Sequence, residues 1–396
     1  MTYREKIKEA EEQQFALRKF VLPEFVFGPG ARKLAGRYAR NFGARKALIV
    51  TDPGVMKAGW TEDVTVSLEA AELSYTIYSH VTPNPRSEEV KLGAQVYQRE
   101  GCNILIAVGG GSPIDCAKGI GIVTSNHKDI LDFVGVDQVP VPMPPLICIP
   151  TTGGSSADLS QFAIINNEKE KIKVAIISKA VVPDLALIDP ITLLSMPPYL
   201  TACTSFDALT HAIEAYVSIA HSPITDLHAL EAVRLISSNL EASLGNPEDI
   251  ELRTQMMLGS VQAGIAFSNA SLGATHAMAH SLGGLLDVAH GECNAILLEH
   301  VVAFNFDEVP MRYERVGEAM GLDLKGKSIE GKKSAILCEI RRLRISVGIE
   351  RTLRQLGMQQ SDIPQLAQKA MKDTCMVTNP RRPTQKDIEA IYGAAF

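Results

Sequence analysis

The 396-residue chain lacks a long apolar run and lacks an excess of basic residues. A membrane-spanning helix needs about 20 apolar residues in succession, so none is predicted. The charged N-terminal stretch has no apolar centre, which argues against a signal peptide. A formal net charge of −6 gives no basic surface for nucleic acid. We therefore expect a cytoplasmic protein with neither a membrane nor a nucleic acid as its partner.

Cysteine is also scarce, with seven residues scattered along the chain and never paired as CxxC. This odd number and wide spacing argue for reduced thiols rather than a disulfide framework. The chain is 46% hydrophobic and 21% charged, so it can bury large cores. Its length predicts two domains.

Strand-like and helix-like segments alternate in the first half of the chain. Four short runs rich in isoleucine and valine are predicted as strands, at 46–52, 73–79, 103–112 and 145–152. Alternation with helical segments predicts parallel strands joined by crossover helices. From about Ile191 the strand signals fade and helical periodicity takes over. We therefore expect an α/β domain at 1–190 and an all-helical domain at 191–396.

Groups that ligate metals occur four residues apart in two helical segments of the second half. Asp207 and His211 form one pair, and His276 and His280 form the other. Residues four apart lie on one helix face, so each pair can point at a single spot. Carboxylate and imidazole groups suit Fe(II) or Zn(II), and an open site of this kind supplies Lewis-acid chemistry.

A further histidine, His290, lies in the segment DVAHGEC, where Gly291 suggests a turn. A histidine in an apolar helix is usually a core residue, and an Asp–His pair one turn apart can be only a hydrogen bond. Two such pairs are harder to explain in this way, because each buried polar group needs a partner. The pattern alone leaves a metal site and ordinary core contacts as equal alternatives.

A glycine-rich turn follows the third predicted strand. The glycines at 109–111 precede Ser112, which is expected to cap the next helix, and Pro113 suits its first turn. Such a helix N-terminus offers its free N–H groups to a pyrophosphate. The usual GxGxxG pattern is absent because Ile114 occupies a glycine position. A tight connection without a ligand is the alternative.

Asp52 ends an earlier predicted strand. A carboxylate in that place can bind the ribose 2′-hydroxyl of NAD and repel the 2′-phosphate of NADP. The same residue can simply open the turn that the sequence DPG predicts. Both interpretations stay open.

Five motifs together resemble the iron-containing, or group III, alcohol dehydrogenases. They are VGGGSPID (108–115), IPTT (149–152), FDALTHAIEAY (206–216), AFSNASLGATHAMAHSLGG (266–284) and HGECNAILL (290–298). The motifs follow the family's order and spacing, and the resemblance covers nearly the whole chain. The segments at 17–31 and 156–165 look most like a bacterial branch linked to ethanol oxidation.

The resemblance implies a nucleotide-binding α/β domain with a parallel sheet and an all-helical metal domain, an architecture like that of dehydroquinate synthase. It implies the metal ligands Asp207, His211, His276 and His290, for Fe(II) or alternatively Zn(II). It places NAD against Asp52, Gly109, Gly110, Gly111, Ser112, Asp115, Thr151, Thr152 and Lys173. His280 is expected near the nicotinamide, as a relay for the released proton or as a lining residue. A homodimer or larger homo-oligomer is also expected.

The implied reaction is the interconversion of small primary alcohols and aldehydes by hydride transfer, with the metal ion favouring loss of the hydroxyl proton. Polyol or polyol-phosphate dehydrogenases and dehydroquinate synthase-like enzymes are the alternatives. Enzymes for phosphorylated substrates would need arginine or lysine near the metal, and the segments DALTHAIE and HAMAH contain neither. A nucleotide-binding protein without turnover is a further alternative, but all four ligand positions are filled.

Two positions depart from the pattern of the family. Asp158 replaces the usual glutamate after IPTT, and Ala289 replaces the proline that usually precedes the last metal histidine. The first change puts the contacts of the substrate pocket in doubt. The second is expected to loosen a loop without removing the ligand.

Overall fold

A parallel sheet with helices on both faces forms the N-terminal domain in the computed structural model, which describes residues 19–396. The charged N-terminal stretch considered above lies outside the described residues. The strands are β1 (Glu24–Phe27), β2 (Lys46–Val50), β3 (Ser74–Tyr78), β4 (Ile104–Gly109), β5 (Gly135–Val136), β6 (Leu146–Pro150), β7 (Phe162–Asn167), β8 (Ile172–Ile177) and β9 (Leu185–Ile188). The main sheet has the order β1-β9-β6-β4-β2-β3, and all its pairs are parallel.

Five helices connect these strands. They are α1 (Ala35–Asn41), α2 (Pro53–Lys57), α3 (Trp60–Ala70), α4 (Ser87–Arg99) and α5 (Gly111–Asn126). Every residue of β4 and β6 is buried, which explains why these strands are continuous apolar runs without alternation. The four predicted strands are confirmed, and β1 and β9 were not predicted.

The order of the strands reverses beside β2. The chain passes from β2 outward to β3 and then returns to β4 on the other side of β2. In open parallel sheets, ligands bind outside the carboxyl ends of the strands at such a reversal. The loops that follow β2 and β4 are therefore placed for binding by the topology itself.

A second, three-stranded sheet has the order β5-β8-β7, and its β7–β8 pair is antiparallel. The four predicted strands are all parallel, as expected, but this hairpin was not predicted. Two apolar runs flank the charged segment 166–171, in which Lys171 has a positive φ of 51°. That pattern is typical of a hairpin and was the signal available in the sequence.

The C-terminal domain is helical, as predicted. Its helices are α6 (Pro198–Val217), α7 (Pro223–Gly245), α8 (Ile250–Ala270), α9 (Ala274–Leu286), α10 (His290–Asn305), α11 (Pro310–Ala319), α12 (Ile329–Ser346), α13 (Ile363–Ala370) and α14 (Gln385–Ala394). Helix α6 is buried almost along its whole length and packs against α7, α8 and α10. It therefore lies at the centre of the helical domain.

No disulfide contributes to the fold of residues 19–396. All seven cysteines are free thiols, six of them buried and Cys338 exposed, so the prediction of reduced thiols is confirmed. None of the helices in the described range combines the length and the apolar character that a bilayer crossing needs. Packing of apolar segments provides the stability instead.

Gly291 lies inside helix α10, so the predicted turn at this residue is wrong. A Cβ atom on Gly291 would lie 2.1 Å from the carbonyl oxygen of Cys203 in α6. Glycine therefore serves the close approach of two helices rather than a bend in the chain. This approach brings His290, the first residue of α10, next to Asp207 of α6.

Replacing Gly291 by alanine should lower the free energy of unfolding by about 1–3 kcal/mol, because the new methyl group overlaps the α6 backbone. Gly245→Ala is the matched control, since a Cβ on this helical glycine meets no atom within 4 Å. The control should be neutral or slightly stabilising. Urea unfolding measures both variants, and equal stabilities would contradict the packing explanation.

Candidate active site

A cavity of about 890 Å³ lies between the carboxyl edge of the main sheet and helices α6, α9 and α10. It brings together residues predicted for the cofactor and for the metal. The lining includes Asp52, Gly110, Gly111, Ser112, Asp115, Thr151, Thr152, Lys173, Asp207, His211, His276, His280 and His290. Gly109 is the last residue of β4, immediately before the lining segment.

The candidate cofactor residues lie on loops that follow neighbouring strands. Asp52 follows β2, Gly110 follows β4, and residues 151–152 follow β6. Because these strands are parallel, their carboxyl ends meet at one edge of the sheet. A Cβ on Gly110 would lie 3.0 Å from the Thr152 side chain, so a larger residue would crowd the two loops.

Helix α5 begins at Gly111 with Gly110 as its N-cap, so the predicted cap by Ser112 is wrong. Gly109 has a φ of 153°, which favours glycine and lets the chain enter the helix early. The Ser112 hydroxyl oxygen instead accepts a hydrogen bond from the Asn84 backbone N–H at 3.2 Å. Gly110, Gly111 and Ser112 line the cavity, so the N-terminus of α5 still faces it.

The Asp52 carboxylate caps helix α2. Its Oδ1 atom accepts hydrogen bonds from the N–H groups of Gly54 and Val55 at 2.7 and 3.0 Å. The local turn interpretation is therefore correct. The same side chain also lines the cavity, so the cap does not compete with a role towards a ribose.

Asp115 and Lys173 are buried in the cavity wall. Burial raises the pKa of Asp115 to about 7 and lowers the pKa of Lys173. The Lys173 ammonium donates to Asn84 Oδ1 at 2.6 Å. Lys173 belongs to β8, and a Cβ on Gly283 of α9 would lie 3.2 Å from its Nζ. The unpredicted hairpin thus packs a lysine against the helical domain.

The predicted metal ligands converge around one oxygen of Asp207. From Asp207 Oδ1, the distances to Nε2 are 3.6 Å for His276, 3.7 Å for His290 and 4.0 Å for His211. Atoms that share one divalent ion at about 2.0–2.2 Å lie roughly 3–4 Å apart. The ligand atoms of Asp207, His276 and His290 all lie within 4.8 Å of one another, so their spacing and N/O chemistry fit a single ion. His211 lies outside this group and is the histidine farthest from the Asp207 oxygen, at 4.0 Å.

Protonation at this cluster also suits a cation. Burial would raise the pKa of Asp207, but the three imidazoles hold it well below its ordinary value. Burial lowers the pKa of His211 to about 4 and that of His290 well below its ordinary value. Burial opposes the charged form of His276 too, but Asp207 and Glu214 raise its pKa to about 9. An ion would therefore displace a proton from His276.

Glu214 holds His276 in place and was missed by sequence reasoning. Its Oε2 atom is 2.7 Å from His276 Nδ1 and accepts from the Gly273 N–H at 3.0 Å, while Oε1 accepts from the Thr275 N–H at 2.7 Å. The carboxylate thereby fixes the imidazole with Nε2 towards Asp207. Glu214 is seven residues after Asp207 on the same helix face, which was the signal in the sequence.

His280 lies beside the metal cluster and bonds to another missed residue. Its Nδ1 atom is 2.9 Å from Asp373 Oδ2, and its ring stacks on His290 with centroids 5.2 Å apart. Asp373 Oδ1 accepts from the Cys375 N–H at 2.8 Å. Together His280, Asp373 and Cys375 form a second group within the described residues that could hold an ion. No local pattern in the sequence links Asp373 to His280, because they are 93 residues apart.

The two departures from the family pattern lie next to the cavity, because Ala157 and Ala289 both line it. Asp158 is buried, and burial raises its pKa to about 6. Ala289 has a φ of −58°, close to the value that proline would impose. The segment before His290 therefore keeps the course that a proline would give it.

Comparison with known proteins identifies the family. Residues 23–190 match the family described as "Iron-containing alcohol dehydrogenase". Residues 201–396 match "Fe-containing alcohol dehydrogenase family, C-terminal". The two matches leave residues 1–22 and 191–200 unassigned.

Individual relatives match over almost their whole length. The 1,3-propanediol dehydrogenase of Klebsiella pneumoniae is 38% identical, over 93% of this chain and 96% of the relative. The NAD-dependent methanol dehydrogenase of Bacillus methanolicus is 36% identical, over 95% and 99%. A crystal structure of 1,3-propanediol oxidoreductase covers 96% of this chain and 100% of its own, with 38% identity and a TM-score of 0.93. The chain therefore belongs to the iron-containing alcohol dehydrogenase family and is an NAD-linked alcohol oxidoreductase, as its motifs predict.

Proposed function

We propose that the cavity holds Fe(II) next to NAD and interconverts small primary alcohols and aldehydes. The observation that carries this proposal is the convergence of three imidazole nitrogens on Asp207 Oδ1, within 4.0 Å, in a cavity that the glycine loop also lines. In this proposal residues 1–190 form the NAD-binding domain and residues 191–396 the metal-binding domain. The placement in a bacterial branch linked to ethanol oxidation remains a prediction.

Asp207, His211, His276 and His290 would hold the ion. One carboxylate and three imidazoles neutralise part of its charge and suit either Fe(II) or Zn(II). The family description favours Fe(II), with Zn(II) as the alternative. Glu214 supports the set by holding the ring of His276.

NAD would lie along the carboxyl edge of the sheet. Its pyrophosphate is expected at the N-terminus of α5, and Asp52 would favour a ribose hydroxyl over a phosphate. The NAD dependence of the Bacillus methanolicus relative supports this choice of cofactor. The proposed contacts are Asp52, Gly109, Gly110, Gly111, Ser112, Asp115, Thr151, Thr152 and Lys173.

When bound, the divalent ion would supply Lewis-acid assistance to loss of the hydroxyl proton, and NAD would accept the hydride. The residues of the chain position these groups and exclude water. His280 would carry the released proton through Nε2, because Nδ1 is bonded to Asp373. Asp373 thus acts as a positioning residue for His280.

The walls near the proposed ligands favour a small uncharged substrate. The Phe267 ring stacks on His211 with centroids 4.2 Å apart, and Phe162 packs edge-on against Phe267 at 5.6 Å. Among the cavity's lining residues in the described chain, Lys173 is the only lysine or arginine. A phosphorylated substrate would need more positive charge, so the synthase and polyol-phosphate alternatives are less well supported.

A cytoplasmic homodimer or larger homo-oligomer is part of the proposal. Strand β1 forms an edge of the main sheet, with β9 as its neighbour. The outer side of such a strand can pair with a second copy of the chain. This contact would leave the cavity at the centre of each copy available to substrate.

The proposed function is tested by NADH formation with ethanol and 1-propanol. Protein stripped of metal should be inactive and should recover when it is reloaded anaerobically with Fe(II). Reloading with Zn(II) in parallel decides between the two ions. His276→Ala should lose at least about 10³-fold in activity, because Lewis-acid assistance contributes several kcal/mol.

His127→Asn is the matched control, since His127 is exposed and its positive φ of 56° suits asparagine. It should keep the activity of the parent protein. Turnover that is independent of metal would contradict the proposal. So would the lack of turnover of any primary alcohol or aldehyde by protein that carries one ion per chain.

The Asp373–His280 pair gives a second prediction. In Asp373→Asn the amide oxygen can still accept from the Cys375 N–H, so the amide NH2 group faces His280 Nδ1. An NH2 donor favours an unprotonated Nδ1. The imidazole then carries its proton on Nε2 and cannot accept another one there. We expect kcat to fall at least about 10²-fold, as for loss of general acid–base catalysis, with KM for NAD within about twofold. Steady-state kinetics of this variant, His280→Ala and the double variant measure the effect. Additive losses in the double variant would show that the two residues act separately.

A further inference from the structure

Asn294 borders the candidate metal cluster and is fully buried. It lies in α10, four residues after His290, so the two side chains share one helix face. Its amide nitrogen is 2.7 Å from Asp207 Oδ1, 3.1 Å from His276 Nε2 and 3.2 Å from His290 Nε2. One carboxamide thus contacts three of the four proposed ligands.

The orientation of this amide follows from the carboxylate. A reversed amide would set a carbonyl oxygen 2.7 Å from Asp207 Oδ1 with no hydrogen between the two acceptors. The nitrogen must therefore face Asp207, where it makes a charge-assisted hydrogen bond. This orientation leaves Asn294 Oδ1 buried without a hydrogen-bond partner among the described residues.

A second asparagine of the same helix shows what a purely structural arrangement looks like. Asn305 is also buried, and its amide exchanges two hydrogen bonds with the amide of Asn379, at 2.9 and 2.8 Å. Both ends of the Asn305 amide are satisfied. The Asn294 amide differs, because its contacts are with three proposed metal ligands rather than with a second amide.

We propose that Asn294 is a positioning residue of the metal centre, whose N–H donor fixes the Asp207 oxygen that faces the three imidazoles. The inference rests on the proposed function, because it assigns Asn294 a role towards the same ion. A carboxylate ligand held by a hydrogen bond keeps one oxygen in place before the ion arrives. Loss of such an outer partner typically lowers metal affinity about 10–100-fold.

The test uses Co(II) as the probe, because its visible absorption reports the arrangement of its ligands. Metal-free Asn294→Ala and Asn294→Leu are titrated with Co(II) in competition with a chelator. The leucine fills the space of the asparagine but has no donor. Both variants should bind Co(II) about 10–100-fold more weakly than the parent and with a changed spectrum. Asn305→Ala is the control and should lose stability while keeping the Co(II) affinity within about twofold.

The outcomes separate this inference from the proposed function. Parental affinity and spectrum in both Asn294 variants, with a parent that binds Co(II), would overturn the positioning role alone. Recovery of affinity by leucine but not by alanine would overturn it as well, because packing rather than the donor would then matter. A parent protein that binds no Co(II) and has no metal-dependent turnover would overturn the proposed function itself. Thermal unfolding of the metal-free variants confirms that each one is folded.

Discussion

A buried carboxylate constrains the rest of the helical domain. Asp207 lies in the middle of helix α6 and is only 5% exposed, and a charge in such a place is strongly unfavourable unless it is paired. The imidazoles around it and the amide of Asn294 provide that compensation, from α6 itself and from α9 and α10. The same groups place imidazole nitrogens around one carboxylate oxygen, which is a donor set that suits a divalent cation.

Close packing of helices makes this arrangement possible. Helix α6 is surrounded on all sides. Helix α10 approaches it so closely at Gly291 that a Cβ atom on this residue would overlap the α6 backbone. Glu214 ties α6 to the beginning of α9 through His276 and two backbone N–H groups. The main sheet contributes to the same cavity. Its strand order reverses beside β2, and the loops after β2 and β4 line the cavity at that point. The α/β domain and the helical domain thus meet at a cavity in which a cation and a dinucleotide can lie side by side.

The sequence predicted local features well and distant contacts poorly. Helical spacing paired Asp207 with His211, and long motifs placed the glycine loop after β4, because both depend on residues close together in the chain. Asp373 could not be linked to His280, since only the packing of the segment before α14 brings them together. Helix α5 begins at Gly111, earlier than predicted, because Gly109 adopts a positive φ. The glycine motif did not reveal this backbone angle. Gly291 was wrongly assigned to a turn. Glycine is common both in turns and where two helices pack closely, and the local sequence does not distinguish the two cases.

The most direct measurement is anomalous X-ray diffraction from crystals grown with Fe(II) and NAD under anaerobic conditions. One strong peak per chain should lie among Asp207, His211, His276 and His290, with NAD extending from it along the loops after β4 and β2. A peak at the group of His280, Asp373 and Cys375, or NAD bound away from the glycine loop, would contradict the account. The first result would show that the convergence on Asp207 serves the fold rather than the chemistry, and the second would overturn the placement of the cofactor.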